Sequence, residues 1–275
     1  MATQGKPRST RWARPAAFMG ALLFGATAVA SPDATTRIRG GEPVAAGEFP
    51  FIVELQIFRK ETQQWLTNCT ASLADPRAIL TAAHCIPGVI PGSDPDVPVR
   101  LVFNRVNDED AVRDVVTQDQ IEQIIWNPEF GVIPHRDLAV VVLKTPYTRT
   151  PPVMLPGASM RPPLGAIITA AGWGTTDNPT DPLLLRKVDV PVVPCGPSDG
   201  ALCAGIPGMG LGRGDSGGPG FQRHPEGTFT QYGVASGVSL DPGMISAYTD
   251  LSSPDVWQAV NKDLVAVGLQ HLIPR

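Results

Sequence analysis

The sequence predicts an all-β protein: two halves built from short antiparallel strands, followed by one C-terminal α-helix. Three observations carry that expectation. Gly (28) and Pro (29) are frequent among 275 residues while aromatics reach only 6%, a composition of many turns and short strands. Apolar residues recur at the strand period, as at Val99, Leu101 and Phe103. The run from Tyr147 carries Pro151, Pro152 and Pro156, which a helix interior or central strand would not accommodate, so the halves divide at Thr150.

In chain order, strands are expected over 51–57, 70–74, 78–81 and 99–103, with Asp75-Pro76 turning the second into the third. A shorter β-branched stretch covers 114–117, and 137–143 is an apolar run behind an acid, suited to a buried strand. The second half repeats the style over 166–171, 185–193, 229–238 and 245–251. Near the end Ser253 can cap a helix and Pro254 suits its first position. Val256, Val260, Leu264 and Val267 then fall on one helical face.

The first segment is set aside from the fold. Lys6, Arg8, Arg11 and Arg14 precede an apolar stretch from Ala16 to Ala30 that ends in small residues before Ser31. That is the layout of a secretory signal sequence over 1–30, and the run is shorter than the ~20 residues a spanning helix needs. A polar leader, 31–37, follows. The exported body would then comprise 38–150 and 151–275, secreted or periplasmic, with no membrane attachment after the cut. The chain holds 22 basic and 26 acidic residues; 1–37 takes five of the former and one of the latter, leaving 17 and 25, a net charge of −8. A body this acidic lacks the basic face that nucleic acid requires. Four cysteines, Cys69, Cys85, Cys195 and Cys203, fit two disulfides in one of three pairings, and their spacing matches no short metal-ligand motif. Neither a metal nor a cofactor is expected.

The chemistry centres on Gly214-Asp215-Ser216-Gly217-Gly218-Pro219. Glycines on both sides keep bulk away from the Ser216 hydroxyl and let backbone N–H groups converge, as an oxyanion hole needs. Serine is a weak nucleophile without a base and a group to orient that base. His84, at the end of Thr81-Ala82-Ala83-His84-Cys85, supplies an imidazole, and Asp137, at the head of the run 138–143, supplies a carboxylate. Each alone has an ordinary structural explanation; the order His84, Asp137, Ser216 is that of the serine triad in chymotrypsin-type barrels. His135, His224 and His271 carry no further motif and read as surface residues. The stretch 214–218 also fits the Gly-x-Ser-x-Gly elbow of α/β-hydrolases, but that needs a helix after the serine, where this chain has Gly217, Gly218, Pro219 and Gly220.

With Ile38-Arg39-Gly40-Gly41, Gly172-Trp173-Gly174 and Leu202-Cys203-Ala204-Gly205 added to these motifs, the exported chain resembles the chymotrypsin/trypsin family of secreted serine endopeptidases. The resemblance implies two antiparallel six-stranded β-barrels and disulfides Cys69–Cys85 and Cys195–Cys203. It implies catalysis by Ser216, His84 and Asp137, with the N–H groups of Gly214 and Ser216 as the oxyanion hole. It further implies a zymogen: another protease cuts after Arg37, and the new amine of Ile38 turns inward to pair with Asp215. The partners would be a protein or peptide substrate and that activating protease, with the enzyme itself a monomer.

The specificity pocket departs from the family pattern. Members that cut after Lys or Arg resemble one another in an aspartate six residues before the serine; here Gly210 stands there. Ser236-Gly237-Val238 replaces the family's Ser-Trp-Gly, removing one apolar wall and placing a β-branched side chain at the pocket mouth. Gly212 stands where a bridging cysteine is frequent, so a looser pocket is expected. These changes point to a small or medium apolar residue before the scissile bond, with Asp241 as an acid that could instead favour a basic one. The alternative from another class is a catalytically silent binding protein on the same fold.

Overall fold

A computed structural model describes Met1, Ile38 and residues 40–112, 114–174, 183–195, 200–238 and 245–275. The expected signal sequence, the leader with Arg37, and Asp241 lie outside the described residues. From Ile38 onward the described chain belongs to one compact unit.

After a two-residue strand β1 (Glu42–Pro43), the first barrel takes β2 (Ile52–Arg59), β3 (Gln64–Asp75), β4 (Ala78–Thr81), β5 (Val99–Val102), β6 (Val115–Thr117), β7 (Ile121–Trp126) and β8 (Ala139–Leu143). Its order is β6-β5-β2-β3-β4-β8-β7, all antiparallel. Only the 3-10 turn Gln118–Gln120 separates β6 from β7, so the two edges are one bent strand and the sheet has six strands in effect. The second barrel holds β9 (Ile167–Gly172), β10 (Arg186–Val193), β11 (Ala201–Ala204), β12 (Pro219–Arg223), β13 (Phe229–Val238) and β14 (Ser246–Asp250). Pairing of β9 with β10 closes this ring of six, and β1 adds to the outer edge of β10 through Glu42↔Lys187. The chymotrypsin-like pair of six-stranded barrels is thus the observed fold.

Alternation explains most strands: in β10 Val188, Val190 and Val192 are buried between Asp189 and Pro191. Four strands escaped the pattern, the two-residue β1 among them. In β7 Ile121 and Ile125 are buried but Gln123 between them is exposed, because a bulge between Ile121 and Gln123 breaks the period. β12 starts Pro219-Gly220, and β11 is only four residues of small and apolar side chains. The run 137–143 becomes a strand only from Ala139, since Asp137 closes the 3-10 turn Pro134–Arg136 with φ −83° and ψ 72°.

The single terminal helix is instead two, α1 (Pro254–Gln258) and α2 (Asn261–Ala266). Between them the Val260 N–H bonds the Trp257 carbonyl three residues back, a tighter turn that still sends Val256, Val260 and Leu264 to one side. With the wholly buried Trp257 they cover the first barrel, so the chain end caps the opposite half from the strands preceding it. Ser253 makes no side-chain cap bond.

The seam between barrels carries the site, and it is both apolar and hydrogen-bonded. Phe49 and Phe51 meet Phe221 and Phe229 with centroids 4.9–5.6 Å apart. Each such pair contributes about 0.5–1.5 kcal/mol beyond burial. Ser72 Oγ donates to Gln231 Oε1 at 2.7 Å, both buried, so neither polar group is stranded in the seam.

Candidate active site

Ser216 sits in a turn between barrels that only glycine permits. Gly214 and Gly217 have φ of +92° and +79°. A methyl group on Gly217 would stand 2.1 Å from Thr81 Oγ1 and 2.3 Å from the Thr70 carbonyl oxygen. The turn therefore presses directly on β3 and β4, where the Thr70 N–H donates to the Ser216 carbonyl at 2.9 Å. Thr81 lies three residues before His84, so this contact sets the distance between the serine turn and the histidine turn. Among the described residues no hydrogen bond takes the N–H of Gly214 or of Ser216.

His84 lies in the 3-10 turn Ala83–Cys85 that ends β4. The disulfide Cys69–Cys85 ties that turn to β3, and Cys195–Cys203 closes the loop before β11, the pairings the resemblance implies. Both sulfurs of the first bridge lie within 4.8 Å of His84, but bonded to each other they present no thiolate for a metal.

Asp137 is buried and receives His84 twice: Nδ1 lies 2.5 Å from Oδ2, and the His84 backbone N–H donates to Oδ1 at 3.0 Å. Ser236 Oγ donates to the same Oδ2 at 2.8 Å, and Thr249 Oγ1 donates to the Asp137 carbonyl at 3.0 Å. A buried carboxylate survives in such a place only when its lone pairs are filled. Because Nδ1 is held by Asp137, the imidazole presents Nε2 outward. Phe130 covers the ring, its centroid 6.2 Å away.

Asp215 is wholly buried. It accepts the N–H of Gly174 at 2.8 Å on Oδ1 and of Gly212 at 2.7 Å on Oδ2. A methyl group on Gly212 would stand 3.4 Å from Asp215 Oδ2 and 3.7 Å from the Ile38 nitrogen, so acid and nitrogen flank one small space. Ile38 is itself buried. Burial, and after it the Asp215 charge, pushes the Tyr248 phenol up, so it stays neutral beside that acid.

Next to Ser216 a pocket of about 140 Å³ is lined by Leu211, Gly212, Arg213, Ser216, Ala235 and Gly237. Gly210 is buried and Gly237 exposed, with nothing within 4 Å of where its Cβ would stand. The Val238 side chain lies outside the described residues. The structure thus brings His84, Asp137 and Ser236 into direct contact and sets Ser216 and Gly237 along one pocket.

A family model described as Trypsin matches residues 38–257, from the buried isoleucine into the first terminal helix. The chain belongs to the trypsin family. Its relatives in that family include a tryptase from Mus musculus, 31% identical over 243 residues, 78% of this chain and 85% of that protein. A trypsin-like protease from Streptomyces glaucescens is 28% identical over 266 residues, covering 88% of this chain and 90% of the other. Transmembrane protease serine 9 from Rattus norvegicus is 30% identical over 224 residues, 76% of this chain but 20% of that protein.

Sequence reasoning missed the bond from Ser236 to Asp137, reading Ser236 as pocket wall alone, and missed Thr249, Phe130 and Arg213. Thr249 lies inside a strand and Phe130 in a loop without a motif. Arg213 could have been found: it is the residue before Gly214, so it must stand at the mouth.

Proposed function

We propose that this member of the trypsin family is a secreted serine endopeptidase whose nucleophile is Ser216. The observation carrying the proposal is the buried Asp137 carboxylate, engaged by both the ring and the backbone of His84. Ser216 Oγ attacks the peptide carbonyl and passes its proton to His84 Nε2, while Asp137 holds Nδ1–H and stabilises the imidazolium. The N–H groups of Gly214 and Ser216 receive the oxyanion, each worth ~3 kcal/mol. Collapse breaks the C–N bond as Nε2–H protonates the amine; water then reverses the steps and frees the acid. Export is supported by the two disulfides, which persist in oxidising compartments.

The enzyme is made as a zymogen cut after Arg37. The free Ile38 amine then pairs with Asp215 and fixes the loop 212–216. The shared space around Gly212 supports this reading. The residue before the scissile bond is small or medium and apolar, in keeping with the modest pocket and with Gly210 in place of an acid. Peptide anilides ending in Ala, Val, Phe and Arg, assayed with cut and uncut protein, test all three statements. Cut protein turns over the Ala and Val substrates at least tenfold faster than the Arg substrate, and uncut protein is at least 100-fold slower. Arg preference overturns the pocket reading; full activity in uncut Arg37→Gln protein overturns the zymogen; inactivity everywhere leaves the silent binder.

A further inference from the structure

On β2, Leu55 and Ile57 enter the core of the first barrel, while Glu54 and Gln56 alternate to the other face and are buried there too. The Glu54 carboxylate is fully occupied. Its Oε1 accepts the Gln56 amide and the Thr67 hydroxyl, and its Oε2 accepts Arg105 Nη1 at 3.0 Å. Arg105 commits all three of its nitrogens to the protein, since Nε donates to the Asn107 carbonyl at 2.9 Å and Nη2 to the Asp108 carbonyl.

The neighbouring arginine is open. Arg100 is half-buried, its Nε donates to Gln56 Oε1 at 2.7 Å, and its guanidinium lies over the Trp65 ring at 4.5 Å. Among the described residues neither of its terminal nitrogens has a hydrogen-bond partner, and neither is sealed from solvent. Burial pushes this guanidinium below its ordinary value; Glu54 acts against that shift and Arg105 acts with it. Glu54 is the only described carboxylate acting on Arg100, and Arg105 already meets it, so one positive charge is in excess. The ring fixes the plane of the fork and Gln56 fixes its rotation. A guanidinium so held offers two N–H donors at the spacing of a carboxylate's oxygens.

This face connects to the site along β3. Gln56 pairs with Arg100 on one side and with Thr67 on the other. The next residue, Asn68, donates to the Cys85 carbonyl at 3.1 Å, beside His84, and the Thr70 N–H holds the Ser216 carbonyl. Arg100 therefore lies two strands across and three residues along from Thr70, about 10 Å in each direction. An extended peptide covers that diagonal in about five residues.

We propose that Arg100 on Trp65 is a secondary substrate site that takes a carboxylate side chain of an acidic peptide segment about five residues from the scissile bond. Nη1 and Nη2 donate to the two carboxylate oxygens, while Gln56 and Trp65 hold the fork in place. That a substrate carries the acid rests on the peptidase reading above; binding of the acid to Arg100 does not.

Binding is measured by calorimetry on cut Ser216→Ala protein, so that no peptide is consumed. The probes are acetyl-Gly-Asp-Glu-Glu-Leu-Gly-amide and its Asn/Gln counterpart. The acidic peptide binds about tenfold more tightly, as a charge-assisted pair gives. Arg100→Gln removes the difference. Arg100→Lys keeps the charge and the stem but loses the flat fork, and lowers the difference about threefold. Equal affinity for the two peptides overturns the site. So does a difference unchanged in Arg100→Gln or, should that variant not fold, in Arg100→Lys. A second measurement compares kcat/KM for peptides with Ala before the scissile bond and the acidic or neutral run about five residues to either side. The acidic run raises kcat/KM about tenfold on one side, and not in Arg100→Gln, while a short Ala anilide is cut equally by both proteins. No gain on either side overturns the substrate role alone. If no peptide is cut at all, the peptidase reading fails and the binding result stands.

Discussion

On one side of Ser216 the site is fixed by side chains. Asp137 accepts two bonds from His84 and one from Ser236, and Thr249 holds its carbonyl from the opposite barrel. On the other side it is fixed by backbone. Asp215 is held by the N–H groups of Gly174 and Gly212, and the pocket wall is largely glycine, alanine and leucine. The difference teaches where precision and where adaptability reside. Side-chain bonds in a buried seam have one geometry; a glycine-rich wall takes its shape from what packs behind it, here Ile38 and Asp215.

Replacing one atom on the side-chain half gives the largest effect. Asp137→Asn lowers kcat by about 10⁴-fold with KM little changed, because the His84 tautomer is no longer set. Steady-state kinetics on cut protein check this, and a loss below tenfold breaks the assignment. Next comes the backbone half. A methyl on Gly174 would stand 2.7 Å from Asp215 Oδ1, so Gly174→Ala displaces the acid. The overpacking costs about 1–3 kcal/mol of stability. Activity falls by about 100-fold if the acid's position controls the oxyanion hole, the more telling result if Tm moves by only a few degrees.

Ser236→Ala removes one of three bonds to the Asp137 carboxylate and lowers kcat about tenfold, as expected for a hydrogen bond to a charged group. The smallest effect lies outside the cleft. Burial pushes the Glu48 carboxyl up, but bonds from Lys187 and the Ala45 N–H, with the nearby cations, hold it below the ordinary value of 4.5. Its stabilisation is complete above that value and is lost as pH falls through its own lower one. The Glu48 bond raises Lys187, so the ammonium's share is complete below 10.5 and lost as pH rises through its higher value. Both are partly exposed, so Glu48→Gln flattens the acid limb of stability by under about 1 kcal/mol, read by denaturant titration from pH 3 to 7.

The same contrast governs what the sequence revealed. His84, Asp137 and Ser216 each sit where a strand meets a turn, and residue type and order expose them. The barrels were legible where alternation is regular, as in β10, and obscure where a bulge shifts the period, as in β7, or where Pro219 and Gly220 open β12. The turn between α1 and α2 was invisible because Val256, Val260 and Leu264 keep helical spacing across it. Thr249 and Ser236 reach Asp137 from distant strands, and only the packing of one barrel on the other brings them there.

The most direct test of the account is the site of covalent capture by a fluorophosphonate on cut protein, mapped by peptide mass spectrometry. The account predicts one adduct, on Ser216, forming at least 100-fold more slowly in His84→Ala. An unlabelled Ser216, or labelling that His84→Ala leaves unchanged, would contradict it.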